Sequence, residues 1–435
     1  MHRPTLVLVV VAGLSGCSKP EPIPEVHVTA SPAGSTVKAE SAADIAVGEG
    51  DWAWWRGAHL DAVSPSTSTP TKWDDSQHVI WKADVPGRGH SSPIVCADKI
   101  FLATADEGKK TQSLLAYDRA TGKPLWNMVL HSGGLEHMHR KNSQASATPA
   151  CDGRHVFMTF LNKRAIWLSA VDLEGHIAWQ KEIGPFETIH GYAASPALYK
   201  GLVIVAADSN RGGFLAGVNR TSGEIVWRVQ RADETSFSSP VVATISGRDQ
   251  IVLSGGNSVI AYEPDTGDKL WFYSGGPSMT TSGTAAFDAE HVFVSGGHPD
   301  KQTLCIKADG SGDVTKTHVR WQNKDNFYVP SLLVHDGLVY GISDKGVGHC
   351  YDASTGKEYW THRFGGDFSA SPVLAGKHIY AADENGKVHV FQTGKTFQRV
   401  AENNLNDGGF ATPAICDDQI FLRTDHRLYC LGSEK

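Results

Sequence analysis

The chain has 435 residues, of which 45 are Gly and 12 are Trp, and a formal net charge of −7. This mild acidity excludes the basic footprint of a nucleic-acid-binding face. Beyond the first residues no apolar run approaches the ~18 residues that a spanning helix needs.

The first element is a leader. Met1, His2 and Arg3 give a positive start, and the apolar run Leu6 to Gly13 is too short to cross a bilayer, as in a signal-peptide core. It ends in Leu14-Ser15-Gly16-Cys17, which resembles a bacterial lipobox. The resemblance implies removal of residues 1–16 and a lipid on the Cys17 thiol. Stable anchoring needs more than one acyl chain, as lipoprotein processing supplies. Ser18, rather than Asp, leans the sorting toward an outer membrane. Residues 17–50 read as a tether: Pro20, Pro22, Pro24 and Pro32 interrupt a Ser, Thr, Ala, Glu and Gly background, with no aromatic residue before Trp52. The layout expected is a folded body, residues 51–435, lipid-anchored in the cell envelope and facing the periplasm.

The body is a repeat. Eight short β-patterned runs follow turn residues and centre on Ile100, Val156, Val203, Ile251, Val292, Val339, Ile379 and Ile420. Their mean spacing of about 46 residues suits a four-stranded propeller blade. Before most of them stands a Ser/Thr-Pro pair: Ser92-Pro93, Thr148-Pro149, Ser195-Pro196, Ser239-Pro240, Ser371-Pro372 and Thr412-Pro413. Proline lacks an N–H and costs nothing at the first position of a strand. Two blades with degenerate starts are expected near Thr284-Ala285 and Pro330-Ser331. After the central run comes a turn and a tryptophan, as in YDRATGKPLW, VNRTSGEIVW, YEPDTGDKLW and YDASTGKEYW. Trp126, Trp179, Trp227, Trp271, Trp321 and Trp360 are read as packing between blades rather than as a binding surface. The eighth repeat lacks a fourth strand, whereas His78-Val79-Ile80-Trp81-Lys82 is a fourth strand without a repeat. The expectation is an all-β, eight-bladed propeller of antiparallel blades, closed by the N-terminal strand around Trp81 so that no edge is left open.

The triple signature over residues 81–431 (Ser/Thr-Pro, strand, Asp-x-x-Thr-Gly-x-x-x-Trp) resembles the pyrroloquinoline-quinone (PQQ)-type propeller repeat. Asp51 to Gly57, with its Trp-Arg-Gly, resembles the lead-in of a bacterial branch of that superfamily. Together with the lipobox, the chain is similar to the BamB-like outer-membrane assembly lipoproteins. The resemblance implies a monomeric scaffold that binds envelope proteins, without catalytic residues or cofactor. The same repeat builds quinoprotein dehydrogenases, many of which hold the quinone between a tryptophan and a disulfide of adjacent cysteines. This chain has no Cys-Cys pair. The alternative is therefore a quinone- or metal-dependent oxidoreductase using the channel mouth, and a third reading is a polymer- or sugar-binding surface protein.

Six cysteines remain beside Cys17. Cys96, Cys151 and Cys416 each follow a Pro-led strand, and Cys305, Cys350 and Cys430 share another context. Equivalent places in different blades are usually too far apart to bond, so these residues are read mostly as small buried hydrophobes, with a disulfide framework as the minority reading.

A propeller's binding face is expected on the loops leading into the inner strands. His90, Tyr192, Phe237, Phe327 with Tyr328, Phe368 and Phe410 stand there. They are read first as a plug of the hub and second as a binding ring at the channel mouth. The longest loop, residues 131–148, carries His137, His139, Arg140 and Lys141, and His90 and His190 lie in the flanking loops. A polar insertion is the preferred reading, and a metal site of His90, His137, His139 and His190 the alternative. Loops on a rigid scaffold are where function concentrates.

Overall fold

A computed structural model describes residues 44–433 except 75, 211, 277–280 and 299–300. The leader, Cys17 and most of the tether lie outside the described residues.

Each repeat folds on itself because its alternating β-branched and aromatic runs are joined by tight turns. Blade 1 is the pattern: Ile94–Cys96, Lys99–Asp106, Thr111–Asp118 and Pro124–Ser132 pair in that order as an antiparallel sheet. The same order recurs in blade 2 (150–185), blade 3 (197–230), blade 4 (241–274), blade 5 (286–323), blade 6 (333–363) and blade 7 (373–404). The blades with degenerate starts are therefore present. Blade 8 has three strands of its own, residues 414–431, and takes Val79–Asp84 as its outer strand, antiparallel to Arg427–Leu431. First and last parts of the chain thus share one sheet, and the ring closes as its sequence predicts. Among the described residues there is no helix long and apolar enough to cross a membrane.

The tryptophans join neighbouring blades. On six of the eight outer strands the indole Nε1 donates to a carbonyl in the next blade: Trp81 to Arg119 at 3.0 Å, Trp126 to Leu173 at 3.1 Å, Trp179 to Arg220 at 3.0 Å and Trp227 to Pro264 at 3.1 Å. Trp321 donates to Ala353 at 2.8 Å and Trp360 to Gly394 at 3.0 Å. The turn glycine of the next blade lies flat on the ring. A Cβ on Gly267, at φ +78°, would come within 2.6 Å of the Trp227 ring. Glycine is needed there both for its backbone angle and for the space. Trp271 departs from the pattern: it is fully buried and donates to Gln250 Oε1 at 2.7 Å. The degenerate turn of blade 5 explains this, because Gly312–Asp313 pairs alongside the outer strand of blade 4 and covers it.

Residues ahead of Val79 cross the base of the ring. Packing on the body starts before residue 51: Ile45 and Val47 lie against the core, and Ala46 N donates to Asp152 O at 2.9 Å. Trp52 exchanges 2.9 Å backbone bonds with Val95 in blade 1, and Val63–Ser64 runs parallel to Val373–Ala375 in blade 7. Ser68 N then reaches Asp418 Oδ1 in blade 8 at 2.9 Å.

Candidate functional site

The Ser/Thr that begins each inner strand has a role beyond preceding a proline. Ser92 N donates to Thr148 Oγ1 at 3.0 Å, Thr148 N to Ser195 Oγ at 2.9 Å and Ser195 N to Ser239 Oγ at 2.9 Å. Thr284 N donates to Ser331 Oγ at 3.0 Å, Ser331 N to Ser371 Oγ at 2.9 Å and Ser371 N to Thr412 Oγ1 at 2.9 Å. Thr412 N donates to Ser92 Oγ at 3.0 Å, joining last blade to first. The bonds run blade to blade about the axis. Each hydroxyl that accepts in this way keeps its own proton to donate.

Above this ring lies a cavity of about 430 Å³, lined by the eight Ser/Thr and by loops of the mouth. The segment under the base closes it. Trp55 lines the cavity, and its Nε1 donates to Thr284 Oγ1 at 3.1 Å. Arg56 behind it is 1% exposed. Its Nη2 donates to Leu332 O at 2.8 Å and its Nε to Leu60 O at 3.1 Å. Burial pulls the Arg56 pKa down to about 10, against the opposing pull of Asp61.

Loops of non-adjacent blades meet at the mouth. Lys141, from the 131–148 loop, lies 3.1 Å from Glu384 Oε2, in the turn between the middle strands of blade 7. Ser369 Oγ also donates to Glu384, at 2.7 Å. Asp344 occupies the matching turn of blade 6, where desolvation raises its pKa. The same loop is anchored by Asn142 Nδ2, which donates to His190 O at 2.8 Å.

The expected mouth residues divide. His90, His190, Phe237, Tyr328 and Phe410 line the cavity. His90 stacks on Phe410 with ring centres 4.3 Å apart. Burial, and after it Arg88 and Arg423, lower the His90 pKa to about 3, so this imidazole is neutral. Tyr192 and Phe368 do not line the cavity. Tyr192 is 6% exposed, packs edge-on against Phe186 and donates to Ala206 O at 3.0 Å. Phe368 is 1% exposed, among Phe364 and His389. Phe327, at 1% exposure, packs against His349 and Tyr351. These three are core.

The histidines pair rather than cluster. His139 and His190 have ring centres 5.8 Å apart, and His190 meets Phe237 edge-on at 6.1 Å. Burial, then His139, lowers the His190 pKa. His137 does not line the cavity. Among the described residues no group of three or more His, Cys, Asp or Glu is placed to hold a metal ion. The alternative of a four-histidine metal site draws no support from these contacts: His90 stacks on Phe410, and His139 faces His190.

The charged groups lining the cavity are Lys141, Asp344 and Glu384. A quinone carrying several carboxylates would face two like charges and one cation already bonded to Glu384. This donor set does not fit such a quinone. It suits a polar, uncharged or peptidic group that accepts from hydroxyls and rests against aromatic rings.

A closed eight-bladed ring with one floored cavity is the architecture of a PQQ-type β-propeller protein. Residues 67–189, 110–362 and 333–431 match the family described as outer membrane protein assembly factor BamB, and the chain belongs to that family. It is 25% identical over 220 residues to the BamB of Shewanella oneidensis, covering 48% of this chain and 53% of that protein, about half its length. It is 22% identical over 332 residues to a tetrathionate hydrolase of Acidithiobacillus ferrooxidans, covering 69% of this chain and 64% of that enzyme. Among solved structures, BamB from Moraxella catarrhalis superposes with a TM-score of 0.60 at 14% identity, over 82% of this chain and 97% of that one. A quinohemoprotein alcohol dehydrogenase from Comamonas testosteroni gives 0.62 at 13% identity, over 89% and 81%. At these identities the structural likeness shows the fold alone.

Proposed function

We propose that the protein is a lipid-anchored scaffold of the cell envelope that binds other envelope proteins, outer-membrane assembly proteins among them, through the loop face of its propeller. The observation that carries this reading is membership in the BamB family over residues 67–431. The mouth adds support. Its rim carries Ile189 at 67% exposure, beside a cavity whose hydroxyls can bond a partner's backbone. The leader and Cys17 would place the body at the periplasmic side of an outer membrane.

The test is purification of the full chain from gently solubilised envelopes, with and without Ile189→Asp. Wild type brings down outer-membrane assembly proteins in fixed ratio, and the variant loses them at unchanged melting temperature. Equal recovery from both would remove the mouth from the interaction.

A second reading, an enzyme acting at the cavity, is favoured by one observation: Trp55 lines the cavity with an indole, although the charged lining does not suit a quinone bearing several carboxylates. Its test is the visible spectrum and metal content of the protein purified with calcium and pyrroloquinoline quinone. A stoichiometric chromophore or metal would replace the scaffold reading.

A further inference from the structure

Cys96 ends the inner strand of blade 1 and Cys151 that of blade 2. Inner strands converge toward the axis, so equivalent positions that are distant on the rim become neighbours at the hub. The two sulfurs are 2.7 Å apart. That is closer than unbonded sulfurs sit, and within about 0.7 Å of a covalent bond of roughly 2.05 Å. The expectation that equivalent cysteines stand too far apart to bond is therefore wrong for this pair. Cys416, in the matching place of blade 8, instead has Arg119 Nη2 at 3.6 Å from its sulfur.

The surroundings make the pair a unit. Trp52 exchanges backbone bonds with Val95, and Cys151 N donates to Ala53 O at 2.8 Å. Ala97 N donates to Asp51 Oδ1 at 2.8 Å. One short segment is thus bonded to both strands, and Cys96 and Cys151 are 1% and 0% exposed.

We propose that Cys96 and Cys151 form a disulfide in the exported protein, joining blade 1 to blade 2 beneath the N-terminal segment. The proposal rests on the export reading given above. Two S–H bonds are lost and one S–S bond forms. The two protons and two electrons pass to a disulfide-exchange oxidant of the envelope, whose own disulfide is reduced to two thiols. Burial raises the Cys151 pKa, so the reactive thiolate is scarce once the chain has folded. Bonding therefore belongs to folding, before the N-terminal segment docks. The cross-link closes a long loop and constrains the unfolded chain. Once covered, it is shielded from reductants.

The test uses the full chain with its own leader, recovered by cell fractionation and denatured with an alkylating agent. Six cysteines of the described residues are available for counting. Two fewer of them are alkylated without reductant than with it, and a peptide map shows Cys96 linked to Cys151. Cys96→Ala abolishes the difference. Reducing the unfolded protein and refolding it with the reductant still present lowers the melting temperature by about 5 °C. Full alkylation without reductant, in protein recovered from the envelope, would overturn the proposal. If the chain is recovered from the cytoplasm, the export reading fails by itself. The purified, unfolded chain is then refolded with glutathione disulfide, and absence of the Cys96–Cys151 peptide overturns the pairing.

Discussion

Trp227 and Gly267 show how one residue type dictates another across a blade boundary. The indole is 8% exposed and bonded to the neighbouring turn. Trp227→Ala is expected to cost about 3–5 kcal/mol through the cavity it leaves. Gly267→Ala is expected to cost about 1–3 kcal/mol, partly from its positive φ and partly from contact with the ring. In a double-mutant cycle read by urea unfolding, the steric share vanishes when the indole is absent, so the two costs fall short of additivity. At the hub, Ser331→Ala leaves the Thr284 N–H without its acceptor, which is expected to cost about 1–3 kcal/mol. His90 gives the ring a pH signature. Its folded pKa of about 3 lies below the unfolded value of about 6.5, so the unfolded chain takes up the proton first. Stability is unaffected above about pH 6.5 and falls as the pH drops toward 3. In His90→Phe, the decline between pH 6 and 4 is shallower by about 1 kcal/mol per unit, measured by denaturant titration at each pH. An unchanged slope would show that this imidazole titrates alike in both states.

At the scale of strands and loops, the division between what is legible in sequence and what is not has a physical cause. The repeat sets each strand through alternation and turn chemistry, so the blades, the two degenerate starts and the closing strand around Trp81 can all be read. The cavity is less legible. Tyr192 and Phe368 stand where mouth residues are expected, yet their loops fold inward and bury them. Asp344 and Glu384 lie in turns between middle strands, which open on the same face as the loops entering the inner strands. A reading confined to the latter loops passes over them. Trp55 belongs to no repeat, and its place under the ring follows from a crossing segment that no periodicity describes. The Ser/Thr ring was open to detection: its residues recur at every blade start, and a recurring hydroxyl has no need of the proline beside it. Closure itself is testable. A chain beginning at residue 86 lacks Val79–Asp84 and exposes the edge of Arg427–Leu431. It is expected to lose its single cooperative melting transition and to aggregate. Retention of that transition would show that three strands suffice in blade 8.

At the scale of the whole molecule, the N-terminal segment makes the two faces of the ring unequal. One face is crossed by the chain and closed by Trp55 and Arg56, while the other opens on a cavity under a rim that bears Ile189, Lys141 and Glu384. A body with one closed and one open face suits a protein that receives a partner from a single direction. Lys141 is half exposed, so its bond to Glu384 contributes little to stability. Lys141→Glu is expected to leave the melting temperature within about 1 °C while weakening partner capture through repulsion at the rim. The most direct measurement is site-specific photo-crosslinking in living cells, with the photoreactive residue at position 189 and the adducts identified by mass spectrometry. The account predicts a discrete adduct with an outer-membrane assembly protein, reduced by Lys141→Glu. Absence of any protein adduct, in a chain found at the envelope and correctly folded, would contradict it.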